Sequence, residues 1–150
     1  MNTQSALAGP GPRPAAVIDP PRRMVDRYFE YARVDGTADL EKTYRIRYQV
    51  YCLERGFLPP ELFPDGRESD IYDAHALHFL ASHVSGQEAG TARLAQNGPL
   101  GLPMAAHCEL DPAYRFLADP DHPELAHYAE ISRLAVAKAF RRRQGDTFFG

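Results

Sequence analysis

Hydrophobic and polar positions alternate along the chain in a way that predicts a mixture of strands and one long helix. The run from Tyr28 to Val34 is aromatic and β-branched and reads as a strand. Asp35-Gly36 breaks it. Thr37 then offers a helix N-cap, with Asp39 and Glu41 near the positive end of the helix dipole. The helix is expected to continue to about Glu54. Leu40, Tyr44, Arg47 and Tyr51 share one stripe, and Gly56 with Pro59-Pro60 ends the element. Residues 57–74, rich in Pro, Asp and Gly, read as a long loop of the kind that often carries function. His75 to Val84 and Gly90 to Ala95 form a hairpin about the turn Ser85-Gly86-Gln87. Residues 97–128 are broken by five prolines and read as irregular. Ala129 to Val136 is a further strand, and Lys138 to Gln144 is a basic stretch. This order predicts an α/β or α+β domain.

Upstream, residues 1–23 are dominated by Pro, Gly and Ala and predict a disordered leader before a domain spanning 24–150. The chain carries a formal net charge of −3, which speaks against a nucleic-acid partner. No apolar run reaches the ~18–20 residues of a membrane span. No signal-peptide pattern precedes the domain. The two cysteines, Cys52 and Cys108, support neither a disulfide framework nor a zinc site and read as buried free thiols in a cytoplasmic protein. The histidines show no ligand spacing: His75 and His78, three apart on a strand, would face opposite ways. No metal is expected.

Charged residues in unusual positions are the candidates for chemistry. Arg47 sits on an otherwise core-facing stripe, where it either snorkels or binds an anion. Asp70 and Asp73 frame Ile71-Tyr72 and can cap a turn or hold a cationic amine. Arg93 shares a strand face with Thr91 and Ala95, and the pattern alone reads it as solvent-facing. Glu130 and Arg133, three apart, fall on opposite faces of a regular strand. A β-bulge between them would bring both to one side.

In order along the chain these segments are Arg47-x-x-Val50-Tyr51, Glu68-x-Asp70-x-Tyr72-Asp73, Gly90-x-x-Arg93-Leu94 and Glu130-Ile131-Ser132-Arg133-Leu134-x-Val136. Together they resemble the acyl-homoserine-lactone (autoinducer) synthases. Closer still is the likeness to the N-acyl amino acid synthases and the PEP-CTERM/exosortase-associated acyltransferases. Phe140-Arg141-Arg142-Arg143 adds to that likeness, which covers about residues 28–145. The resemblance implies the N-terminal part of a GNAT-like acyltransferase fold, a mostly antiparallel sheet flanked by helices whose second half would lie beyond Gly150. It implies transfer of a fatty acyl group from an acyl thioester to the amine of an amino acid or related small molecule. The alternative is a non-catalytic relative that binds an acyl ligand or a carrier protein.

By that resemblance Glu130, Asp70 and Asp73 match catalytic positions, and Arg47, Tyr51, Arg93 and Arg133 match positions that bind the acceptor. A carboxylate can take the proton an amine must lose, which points to Glu130 as base. Arginines can grip the acceptor's carboxylate. Donors at a bulge would stabilise the oxyanion. A GNAT enzyme usually carries a Gly-rich turn after this last strand for a pyrophosphate, and here Phe140 to Asp146 offers a single glycine. That favours acyl carrier protein over coenzyme A as donor, with Arg141, Arg142 and Arg143 meeting the carrier's acidic surface or a pyrophosphate. The acyl thioester is a co-substrate, and no permanently bound cofactor is expected.

Overall fold

The computed structural model describes residues 23–141. Five strands form one antiparallel sheet in the order β1-β2-β3-β4-β5: β1 Arg23–Val25, β2 Phe29–Arg33, β3 Ala76–His83, β4 Glu88–Gln96 and β5 Ala129–Val136. The chain is thus an α+β domain with the antiparallel sheet and flanking helices that were expected. Strand β5 has the span expected from its sequence. Strand β1 was not expected, because Arg23 fell within the proline-rich leader. The rest of that leader lies outside the described residues. No helix among the described residues is long and apolar enough to cross a membrane.

Helix α1, Thr37–Tyr48, crosses one face of the sheet and continues as a π-helical segment over Gln49–Glu54. Its N-cap is Gly36 rather than Thr37. Gly36 is extended (φ −139°, ψ 159°), and its carbonyl accepts the N–H of Leu40 at 3.1 Å. The buried residues of this helical run are Thr43, Ile46, Arg47, Val50 and Cys52. The inward stripe is therefore rotated from the expected one, and only Arg47 belongs to both. Ile46 and Val50 pack on Leu80 of β3 and Ala135 of β5, with Val34 and Tyr51 at the margin. The hydroxyl of Thr43 is satisfied within the helix, donating to the Leu40 carbonyl at 2.7 Å.

Two regions read as structureless contain ordered turns. The loop over 57–74 holds 3₁₀ turns at Pro60–Leu62 and Ile71–His75. His75 consequently precedes β3 instead of opening it. Residues 97–128 contain α2, Pro103–His107, and 3₁₀ turns at Pro112–Ala118 and Pro123–His127. These pack on one another around Leu102, Leu117 and Leu125, with Met104, Leu110 and Phe116 alongside. The segment thus has a small core of its own. Cys52 is buried as expected, whereas Cys108 is exposed. A last short helix, α3 (Lys138–Arg141), follows β5.

Strands β4 and β5 approach closely at Gly90, where a Cβ would lie 2.7 Å from the Ala135 carbonyl oxygen. Further along the same pair, Thr91 is opposite Ala135 and Arg93 opposite Ser132. Two steps on β4 therefore match three on β5. The extra residue is a bulge, and Arg133 within it takes a left-handed conformation (φ 49°).

Candidate functional site

The bulge brings Glu130, Ser132 and Arg133 to the helix-bearing side of the sheet. Glu130 lies opposite Ala95, and Ser132 lies opposite Arg93. Thr91, Arg93 and Ala95 are all buried on this side. The expectation that Arg93 faces solvent is therefore overturned. Small neighbours at 91 and 95 leave room beneath α1 for a guanidinium, which is 1% exposed.

Three arginines and three carboxylates from four parts of the fold form one network. Arg47 of α1 donates from Nε to Glu68 and from Nη1 to Asp73 Oδ1 at 2.7 Å. Arg93 of β4 donates from Nη1 to Asp70 Oδ1 at 2.5 Å and to the same Asp73 Oδ1 at 2.8 Å. Its Nε donates to the Ser132 hydroxyl at 3.1 Å. Arg133 of β5 closes the ring, with Nε 3.1 Å from Glu68 Oε1 and Nη2 2.7 Å from Asp70 Oδ2. Asp70 and Asp73 also form a capping box on the turn between them: the Asp70 N–H donates to Asp73 Oδ2 and the Tyr72 N–H to Asp70 Oδ1. The aspartate pair thus caps the turn, as one of the two readings expected, and the same carboxylates pair with arginines of the chain.

Burial grades the members of the network. The Arg47, Arg93 and Glu68 side chains are each 1% exposed, Asp70 is 21% and Arg133 is 32% exposed. Arg47 does not snorkel: it and Arg93 are bound by carboxylates of the chain, and each keeps a buried Nη2 without a partner among the described residues. Asp70 and Arg133 form the accessible end. Burial works against the Arg47 and Arg93 charges, yet bonds to Glu68 and Asp73, and to Asp70 and Asp73, outweigh it and raise both pKa values. Burial pushes Asp73 upward, but the Arg47 bond and charge, the Asp70 N–H and the Arg93 bond bring it below the usual carboxylate value. His78, directly opposite Arg93 on β3, is buried beside this group with Nε2 3.7 Å from Asp73 Oδ1. Burial lowers its pKa against the pull of Asp73, and the Tyr44 ring meets it edge-on at 5.9 Å.

Glu130 shares this face but stands apart from the network. Its Oε2 accepts the Met104 N–H at 2.7 Å at the start of α2, leaving Oε1 without a protein partner among the described residues. Tyr51 sits on the π-helical segment, a distortion common at functional sites. Its hydroxyl donates to the Leu134 carbonyl at the bulge at 3.0 Å, and burial raises its pKa. Tyr51 also lines a cleft of about 710 Å³ with Val50, Arg55, Phe57, Leu134 and Arg141. Of the expected basic trio, Arg141 is at this cleft, while Arg142 and Arg143 lie outside the described residues.

Sequence reasoning gave no role to Glu68, Ser132 or His78. Glu68 has a visible signal in hindsight: it stands two before Asp70, as Asp70 stands three before Asp73, in a loop that had no other reason to be acidic.

A family model described as an acetyltransferase (GNAT) domain matches residues 46–149. No curated protein and no solved structure matches the chain. The family match spans the helical run with Arg47 and Tyr51, the acidic turn, the β3–β4 hairpin and the bulged β5. The antiparallel sheet with its flanking helices has the form such a domain requires. This chain belongs to the GNAT acetyltransferase domain family, and it is an acyltransferase.

Proposed function

We propose that this acyltransferase moves a fatty acyl group from an acyl thioester on acyl carrier protein to the amine of an amino acid or a related small molecule. Such an activity would match the sequence resemblance to the acyltransferases associated with the PEP-CTERM/exosortase system and to the N-acyl amino acid synthases. The observation that carries it is the β5 bulge, which has the charged network on one side and, through Tyr51 and Leu134, the cleft on the other.

The chemistry follows from those positions. The acyl thioester enters the cleft, whose Val50, Phe57, Leu134, Val136 and Phe140 suit an apolar chain. The acceptor meets Asp70 and Arg133, the accessible end of the network: its ammonium faces the carboxylate and its carboxylate faces the guanidinium. Glu130, held by the Met104 N–H through one oxygen, takes the amine proton with the other. The amine attacks the thioester carbonyl, backbone N–H groups at the bulge stabilise the oxyanion, and the C–S bond breaks as the thiolate takes the second proton from the attacking nitrogen, leaving an amide and the carrier thiol. Arg47, Arg93 and Asp73 act beneath, by holding Asp70 and Arg133 in place.

The test is to incubate the protein with long-chain acyl carrier protein and a panel of amino acids and amines, and to seek amide products by mass spectrometry. Amides are expected, with turnover lowered about 100-fold or more in Glu130→Gln while the circular dichroism spectrum is unchanged. Carrier binding without any amide would instead identify a non-catalytic relative. Full turnover in Glu130→Gln would remove Glu130 as the base.

A further inference from the structure

We infer that Glu54 is a specificity determinant that sets the donor cleft against thioesters bearing a diphosphate, coenzyme A among them. The inference rests on the cleft being the donor site.

Four donor contacts converge on the Glu54 carboxylate. Gln49 Nε2 donates to Oε1 at 2.7 Å. The Lys138 N–H, just past β5, lies 3.2 Å from Oε1 and 3.0 Å from Oε2. The Arg141 guanidinium makes a short ion pair with Oε2. Arg141 is held from a second side, its Nε donating to the Val136 carbonyl at 2.7 Å. The pair is mostly buried, with Glu54 12% and Arg141 21% exposed.

A backbone N–H beside a guanidinium is the equipment with which proteins hold an oxyanion. Here those donors are already satisfied by a carboxylate of the chain itself, placed on the π-helical segment that also carries Tyr51. A diphosphate reaching this corner of the cleft must either displace Glu54 or lie against its negative charge. Like charges brought together in a partly buried corner oppose binding strongly. The apolar part of the cleft makes no such demand, so a pantetheine arm whose phosphate stays at a carrier surface is accepted.

Calorimetry with coenzyme A and with a phosphate-free pantetheine thioester separates the possibilities. In Glu54→Gln the carboxamide oxygen still accepts from Gln49 or Lys138, while Arg141 is released. Coenzyme A affinity is expected to rise about tenfold or more, with the thioester unaffected. The gain is expected to vanish in the Glu54→Gln/Arg141→Gln double variant. Glu54→Ala repeats the measurement should Glu54→Gln melt early. If the wild-type protein binds the pantetheine thioester but neither Glu54 variant gains affinity for coenzyme A, the inference fails alone. An equal gain for the phosphate-free ligand overturns it as well. If no variant binds either ligand, the cleft is not a donor site and the inference falls with that reading.

Discussion

The two kinds of arginine in the network differ in what their removal leaves behind. Arg93 bonds Asp70, Asp73 and Ser132 with 1% of its side chain exposed, so Arg93→Ala strands carboxylates in a buried setting. Breaking such a pair costs about 3–5 kcal/mol, and urea denaturation is expected to show a loss of that size. Arg133, at 32% exposed, is solvated when it swings free, and Arg133→Ala is expected to remove only about 1 kcal/mol. If the proposed acceptor site is right, the larger effect of Arg133→Ala is a rise in KM with kcat less affected. Equal stability losses in the two variants would contradict this division. The burial of Arg93 also marks where sequence reading stopped. Period-two alternation showed that Thr91, Arg93 and Ala95 share a face, but not which face α1 covers. Three partners distant in sequence decide that, and none is visible from the strand alone.

The elements show how a residue's meaning depends on its position within a turn. The spacing of three between Glu130 and Arg133 named a bulge between them only as the condition for a shared face, and the structure has the extra residue between Ser132 and Ala135 instead. Its conformation is testable without reference to activity. Arg133 has φ 49°, a region that L side chains pay to enter and glycine does not. Arg133→Gly and Arg133→Ala both delete the ion pairs, so their difference reports the backbone alone. The glycine variant is expected to be the more stable by about 1 kcal/mol in denaturant titrations, and the reverse order would deny the left-handed bulge. Residues 97–128 were misjudged for a related reason. Proline in a sequence suggests a breaker, yet Pro103, Pro112 and Pro123 each occupy the first turn of a short helix, with Asp111 and His122 capping two of them. These turns are too short to show a hydrophobic period. The rotation of the α1 stripe has another cause: Tyr51 lies at the core margin, its body covered while its hydroxyl meets the Leu134 carbonyl, and Tyr44 is half-buried with its ring against His78.

At the scale of the molecule, the buried network makes stability sensitive to acid. His78 is surrounded by Asp73, Arg47, Arg93 and the Tyr44 ring, and burial holds its pKa below 6.5. Below pH 6.5 the unfolded chain takes up this proton before the folded one does, so stability rises with pH up to that value and falls beneath it. Asp73, held below 3.8, contributes stability that is present above 3.8 and lost as pH falls through its folded value. Midpoints of urea unfolding measured from pH 8 to pH 3 are expected to be level above 6.5 and to decline in two stages below. His78→Gln should abolish the first stage only. A level profile down to pH 4 in the wild-type protein would show that His78 is not buried neutral. The fold class and most strand positions were readable from the chain because local patterning sets them. The network was glimpsed only as a set of charged residues out of place, since its geometry belongs to no single segment.

Asp73 Oδ1 accepts from Arg47 and Arg93 together, so a single oxygen joins a helix, a strand and a turn that are far apart in the chain. This has a bearing on how such a domain can diversify. Exchanging the helix, the hairpin or the acidic turn with a distant homologue, one at a time, would import a charge with no mate. The three segments must be inherited, or engineered, as a set, and residues 97–128, although they have a core of their own, are tied to the same face by the Met104 N–H on Glu130.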